Sequence, residues 1–97
     1  MAFDPGAISS TLAAAVGDEP ALVAELRLAF TESAERAVAS MMAADTAEAW
    51  RGAAARLRGL AASFGAVRLM ALAEAAEAGD PHDADSVRKL RAALRRL

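Results

Sequence analysis

Residues 53–69 read AAARLRGLAASFGAVRL, and the reading of this stretch decides the fold. With the residues just before it, Trp50, Ala53/Ala54, Leu57, Leu60/Ala61 and Phe64 recur at intervals of three and four. That is the apolar stripe of an amphipathic helix. Two glycines punctuate it. Gly59 falls inside the pattern, where glycine costs roughly 1 kcal/mol against alanine. Gly65 follows Ser63-Phe64 and marks the expected break. Upstream, Asp45 and Glu48 fit the cap and third position of a capping box, with Asp in place of Ser or Thr.

Working outward, Leu69, Leu72 and Ala76 continue on a next helix, which Gly79-Asp80-Pro81 should terminate. DPHDADS (80–86) reads as a polar loop, with Asp85 or Ser86 capping a last helix. That helix carries Val87, Leu90, Leu94 and Leu97 on one face and Arg88, Lys89, Arg91, Arg95 and Arg96 elsewhere. In the other direction, Asp18 and Pro20 open a long helix over about 20–43, with Leu22, Leu26, Phe30, Ala34, Val38 and Met41 as its stripe. Asp4-Pro5 starts a short leading helix with Ile8, Leu12 and Val16, ended by Gly17.

Short loops between neighbouring helices impose antiparallel packing. The expected fold is all-α: an up-and-down antiparallel four-helix bundle with a short N-terminal helix, one domain over residues 1–97. Composition agrees, since 29 of the 97 residues are alanine and there is no tyrosine. Leu, Arg, Glu and Met, also common here, are good helix formers.

The absence of cysteine removes disulfides and thiolate chemistry and suits a reducing compartment. MAFDPG lacks the basic region and apolar run of a secretory signal. No apolar run approaches the roughly 20 residues of a spanning helix. A cytoplasmic, membrane-free location is expected. Net charge is −2, but residues 1–48 sum to −6 and residues 49–97 to +4. This dipole can steer an acidic partner towards the C-terminal half, although solvated helix faces are the plainer reading.

Little in the chain suggests catalysis. The only histidine, His82, lies between Pro81 and Asp83 in the polar loop. Asp80, Asp83 and Asp85 surround it with negative charge and no helix scaffold positions the ring, so an exposed loop histidine is expected. Those acids lack the glycine and closing glutamate of a calcium loop. No phosphate-binding loop, HExxH or zinc spacing occurs, and neither metal nor cofactor is expected. RKLRAALRRL (88–97) reads as a bundle helix with a basic face, and negative overall charge without interleaved aromatics argues against nucleic acid.

The helix around Leu57 bears a second stripe. Gly52, Ala55, Gly59 and Ala62 also recur at three and four. At about 100° per residue, Ala55 stands about 200° from Leu57 and faces away from the core. Arg51 and Arg58 flank this smooth strip on its outer side. Small residues allow another backbone to approach closely. That backbone is either a neighbouring helix of the same bundle or an external partner. The arginines favour the second, because an unpaired buried charge is costly.

Residues 51–77, RGAAARLRGLAASFGAVRLMALAEAAE, resemble the histidine phosphotransfer (HPt) domain family. Its motif is of the type A-H-x-L-K-G-s-a-a-x-x-G-a-x-x-L-x-x-L-x-x-x-x-E on a four-helix bundle. Ala54, Leu57, Gly59, Ala61, Ala62, Gly65, Ala66, Leu69, Leu72 and Glu77 stand in matching places. Leu22-Val23 to Phe30 looks weakly like the family's second helix. The departure lies at the centre: the phosphorylated histidine should stand where Ala55 stands, and the lysine three residues on is Arg58.

Alanine has no lone pair to attack a phosphoryl group, so transfer through position 55 is chemically excluded. The resemblance therefore implies a pseudo-phosphotransfer protein, not an enzyme. It would bind the receiver domain of a response regulator, or a histidine kinase, in two-component signalling without relaying phosphate. Arg51, Gly52, Ala55, Arg58, Gly59 and Ala62 would form the partner-binding surface, with the arginines meeting acidic groups. Two alternatives stand beside it. One is an active phosphotransfer protein whose histidine was replaced by Ala55. The other is a structural bundle that self-associates through the strip, which like charges at Arg58 disfavour in a two-fold dimer; a monomer is the stronger expectation.

Overall fold

Caps and breakers, more than the apolar stripes, set where the helices begin and end. The computed structural model describes Ile8, Leu12, Ala14, Gly17 and residues 19–97. Among residues 19–97 four helices run in order, α1 (Pro20–Ala43), α2 (Ala47–Ser63), α3 (Val67–Ala78) and α4 (Ala84–Arg95). No strand occurs among the described residues. The fold is all-α, a four-helix bundle. Ile8, Leu12 and Ala14 are helical, and Ile8 and Leu12 are buried. The rest of the expected leading helix, and Asp18 as a helix opener, lie outside the described residues. Gly17 has φ +77°, the left-handed conformation expected of it.

Two of the expected caps are corrected. Thr46, not Asp45, caps α2, its hydroxyl accepting from Ala49 N at 3.0 Å. Asp83, not Asp85 or Ser86, caps α4, its carboxylate accepting from Ser86 N at 3.0 Å. In both cases several side chains with capping oxygens stand close together, and only the backbone path selects one. Pro20 occupies the first turn of α1, and its cap residue Glu19 makes no side-chain bond.

The break after α2 is a Schellman turn. Ala66 N donates to Ala61 O at 2.9 Å and Gly65 N to Ala62 O at 3.3 Å. Gly65 takes φ +72°, and Ala66 behind it is fully buried. Glycine is required here because a β-carbon is strained in the left-handed region.

Three-residue connections, 44–46 and 64–66, join α1 to α2 and α2 to α3, and a five-residue one, 79–83, joins α3 to α4. The bundle closes between α1 and α4 by hydrogen bonds at both ends. His82 Nε2 donates to Ala44 O at 2.6 Å, and Arg27 Nη2 donates to Leu97 O at 2.9 Å. The start of α4 thus meets the end of α1 and the reverse, an antiparallel pair.

Large side chains anchor the core, and alanines fill most of the remainder. Phe30 and Phe64 stack at 4.7 Å between centroids and 24°. Trp50 is fully buried, and its indole donates to Ala76 O at 2.8 Å, bolting α2 to α3. Among the described residues eight of the eighteen buried apolar ones are alanines, which let the helices lie close together. Along the α1 stripe, Phe30, Ala34, Val38 and Met41 are buried, Leu26 is half-buried and Leu22 is exposed. The cause is length. α1 has 24 residues and α2 has 17, a difference of about 10 Å, so the start of α1 projects beyond α2. No helix among the described residues is long and apolar enough to cross a membrane.

Candidate functional site on the outer face of α2

The core stripe of α2 (Trp50, Ala53, Ala54, Leu57 and Ala61) is buried, which turns the small-residue stripe outward. Gly52, Gly59 and Ala62 are exposed and Ala55 is half-buried. Among the described residues no neighbouring helix covers the strip. A β-carbon built on Gly52 or Gly59 meets nothing within 4 Å. Among the described residues neither glycine is needed to let an element of this chain approach.

Arg51 is exposed. Arg58 is held: its Nε lies 3.3 Å from Glu77 Oε1 on α3, with both side chains partly exposed. The two arginines border the strip on the α3 side. The other border went unread in the sequence. At about 100° per residue, Arg56 lies about 80° from the centre of the strip on the α1 side, as far as Arg58 lies on the α3 side. Ser63 stands on that same border, its hydroxyl donating to Gly59 O at 3.0 Å. Arg56 faces a groove towards α1 that also contains Ser33, Arg36 and Ser40. The helical angle of Arg56 was available as a signal. The contribution of α1 was not, because it depends on how the two helices rotate against each other.

The strip offers guanidinium groups and backbone close to solvent, with the Ser63 hydroxyl at its edge engaged by Gly59 O. Ala55 presents only a methyl group, so position 55 cannot carry a phosphoryl group. His82, the only histidine, is exposed in the α3–α4 turn at φ +60°. It is far better seated than a free loop residue. Its Nε2 is fixed as the donor by the Ala44 carbonyl, which can only accept, and its ring lies 4.9 Å from that of Trp50. Asp83 is committed to capping and Asp85 to Arg88 and Lys89. Among the described residues no three potential metal ligands cluster.

Among the described residues one titratable group is clearly perturbed. Asp85 is held below its ordinary value of 3.8, chiefly by the hydrogen bond from Lys89. Residual desolvation opposes this, and the charges of Lys89 and Arg88 add to the lowering. It lies on the first turn of α4, in a segment separate from the strip. Compared with known proteins, the chain matches no family model, no curated protein and no solved structure.

Proposed function

We propose that this protein is a phosphotransfer-like binding module that docks through the outer face of α2 on a receiver domain or histidine kinase and does not relay phosphate. The observation that carries the reading is Gly59. It costs helix stability, yet its β-carbon position opens on empty space. A residue that the chain's own packing does not require, on an exposed strip flanked by arginines, suits an approaching partner. The resemblance of residues 51–77 to the HPt motif supplies the class of partner, and Ala55 removes the transfer step.

The test is a pull-down from the source cell with the wild-type chain and an Ala62→Trp variant, proteins being identified by mass spectrometry. Ala62 is exposed, so the variant keeps its fold, as circular dichroism would verify. Enrichment of receiver-domain proteins or histidine kinases by the wild type, lost with Ala62→Trp, is the expected result. Enrichment of neither class, or equal enrichment by a folded variant, overturns the proposal. A phosphorylated receiver should leave the wild-type chain unlabelled, whereas label mapped to His82 would show that the transfer site was misassigned.

A further inference from the structure

The groove between α1 and α2, on the border of the strip away from Arg58, has a volume of about 710 Å³. That is within the usual range of small-molecule sites, about 300–1,000 Å³. α1 brings Ser33, Arg36 and Ser40 to its wall, and α2 brings Arg56 and Ser63. Ala37 and Leu60 give it an apolar floor. Among the described residues no carboxylate lines it.

The donors are arranged for a ligand that only accepts. Arg36 Nη2 donates to Ser33 Oγ at 3.0 Å, which fixes the guanidinium on a neutral partner. Ser33 thereby accepts and retains its own hydroxyl hydrogen to give. Among the described residues neither Arg36 nor Arg56 has an acidic partner within ion-pair distance. By contrast, Arg58 and Arg88 are both paired with carboxylates. Two guanidinium groups without a carboxylate partner, and the Ser33 and Ser40 hydroxyls, above an apolar floor complement an oxyanion attached to a compact apolar body.

We infer that the α1–α2 groove binds a small organic oxyanion, a phosphate monoester or a carboxylate, between Arg36 and Arg56. Its oxygens accept from the two guanidinium groups and from the Ser33 and Ser40 hydroxyls, while its apolar part lies on Ala37 and Leu60. The groove shares Gly59 with the strip, but the inference does not rest on the docking reading, since its ligand is of a different class and is held by Arg36 and Arg56.

The experiment is a titration of the isotope-labelled 97-residue chain, followed by amide chemical shifts at constant ionic strength, with phenyl phosphate and separately with benzoate. The expected result is saturable shifts confined to residues 33–40 and 56–63. Saturation with phenyl phosphate assigns a phosphate ester, and saturation with benzoate alone assigns a carboxylate. Arg36→Gln and Arg56→Gln should each weaken binding by about tenfold, from loss of a charge-assisted hydrogen bond. Arg91→Gln, on the basic face of α4, should leave binding unchanged. All three positions are exposed, and thermal melts confirm folding. Shifts that do not saturate, shifts equally strong over residues 88–95, or wild-type binding by a folded Arg56→Gln would overturn the inference.

Discussion

Arg58 Nε lies 3.3 Å from Glu77 Oε1, so one of the two guanidinium groups bordering the α2 strip on the α3 side already has an acidic partner within the bundle. The pair is partly exposed on both sides, and pairs of this kind contribute about 0–1 kcal/mol. Glu77→Gln should therefore change stability by less than about 1 kcal/mol in urea titration. If the strip docks on an acidic receiver surface, the same variant should bind more tightly, because Arg58 no longer has to exchange one carboxylate for another. Calorimetry with the receiver captured by the wild type measures this. Weaker binding by the variant would show that Glu77 is itself part of the contact.

Two glycines of the same helical region should respond to alanine with opposite signs. Gly59 is exposed within α2 with nothing near its β-carbon position. Gly59→Ala should stabilise the bundle by up to about 1 kcal/mol, by the difference in helix propensity. Gly65 closes the Schellman turn at φ +72°, and Gly65→Ala should destabilise by about 1–2 kcal/mol. For a domain of this size, 1 kcal/mol corresponds to roughly 4–8 °C in Tm, so thermal melts separate the two. Destabilisation by Gly59→Ala would mean that the helix is held by something other than its own propensity there.

The contrast shows what the sequence could reveal. Local rules located Gly65 as a break, because a left-handed turn is a property of a few adjacent residues. Trp50, Leu57, Leu69 and Leu90 were legible as core from periodicity alone, and all are fully buried. Thr46 and Asp83 were missed as caps because Asp45 and Asp85 offer the same chemistry one or two residues away. The ion pair of Arg58 with Glu77 joins two helices, and the groove of Arg56 and Arg36 joins another two. Neither can be read without the rotation of each helix about its axis. Leu22 fell outside the core although it continues the α1 stripe, since periodicity says which face is apolar but not how far the neighbour extends.

Trp50 has a second role besides filling space. It is fully buried, and its indole N–H donates to Ala76 O at 2.8 Å. Trp50→Phe keeps most of the apolar volume but removes that bond and part of the packing. The expected cost is about 1–3 kcal/mol, measured by urea denaturation. The His82 ring, 4.9 Å away and bonded to Ala44 O, loses part of the surface it rests on. His82→Ala should therefore cost less in the Trp50→Phe background than in the wild type, a coupling that a double-mutant cycle reads directly.

The pH dependence has a traceable source at Asp85. Its carboxyl titrates below the ordinary value of 3.8 when folded, first because Lys89 hydrogen-bonds the charged form, with Lys89 and Arg88 charges adding to it. In the unfolded chain those partners are lost, so the unfolded state binds the proton more readily. Stability from this group is fully present above the unfolded value and disappears as pH falls through the depressed folded one. Asp85→Asn should therefore melt below the wild type at neutral pH, and the gap should close in acid below 3.8. The carboxylate also sits in the first turn of α4, where negative charge complements the helix dipole, and that contribution vanishes in the same direction. Since the group is exposed, salt near 1 M, with a Debye length of about 3 Å, should narrow the gap at neutral pH as well. A gap that persists unchanged into acid would mean that Asp85 acts through its shape or its neutral hydrogen bonds, and that the ion pairs with Lys89 and Arg88 contribute nothing to holding α4 in place.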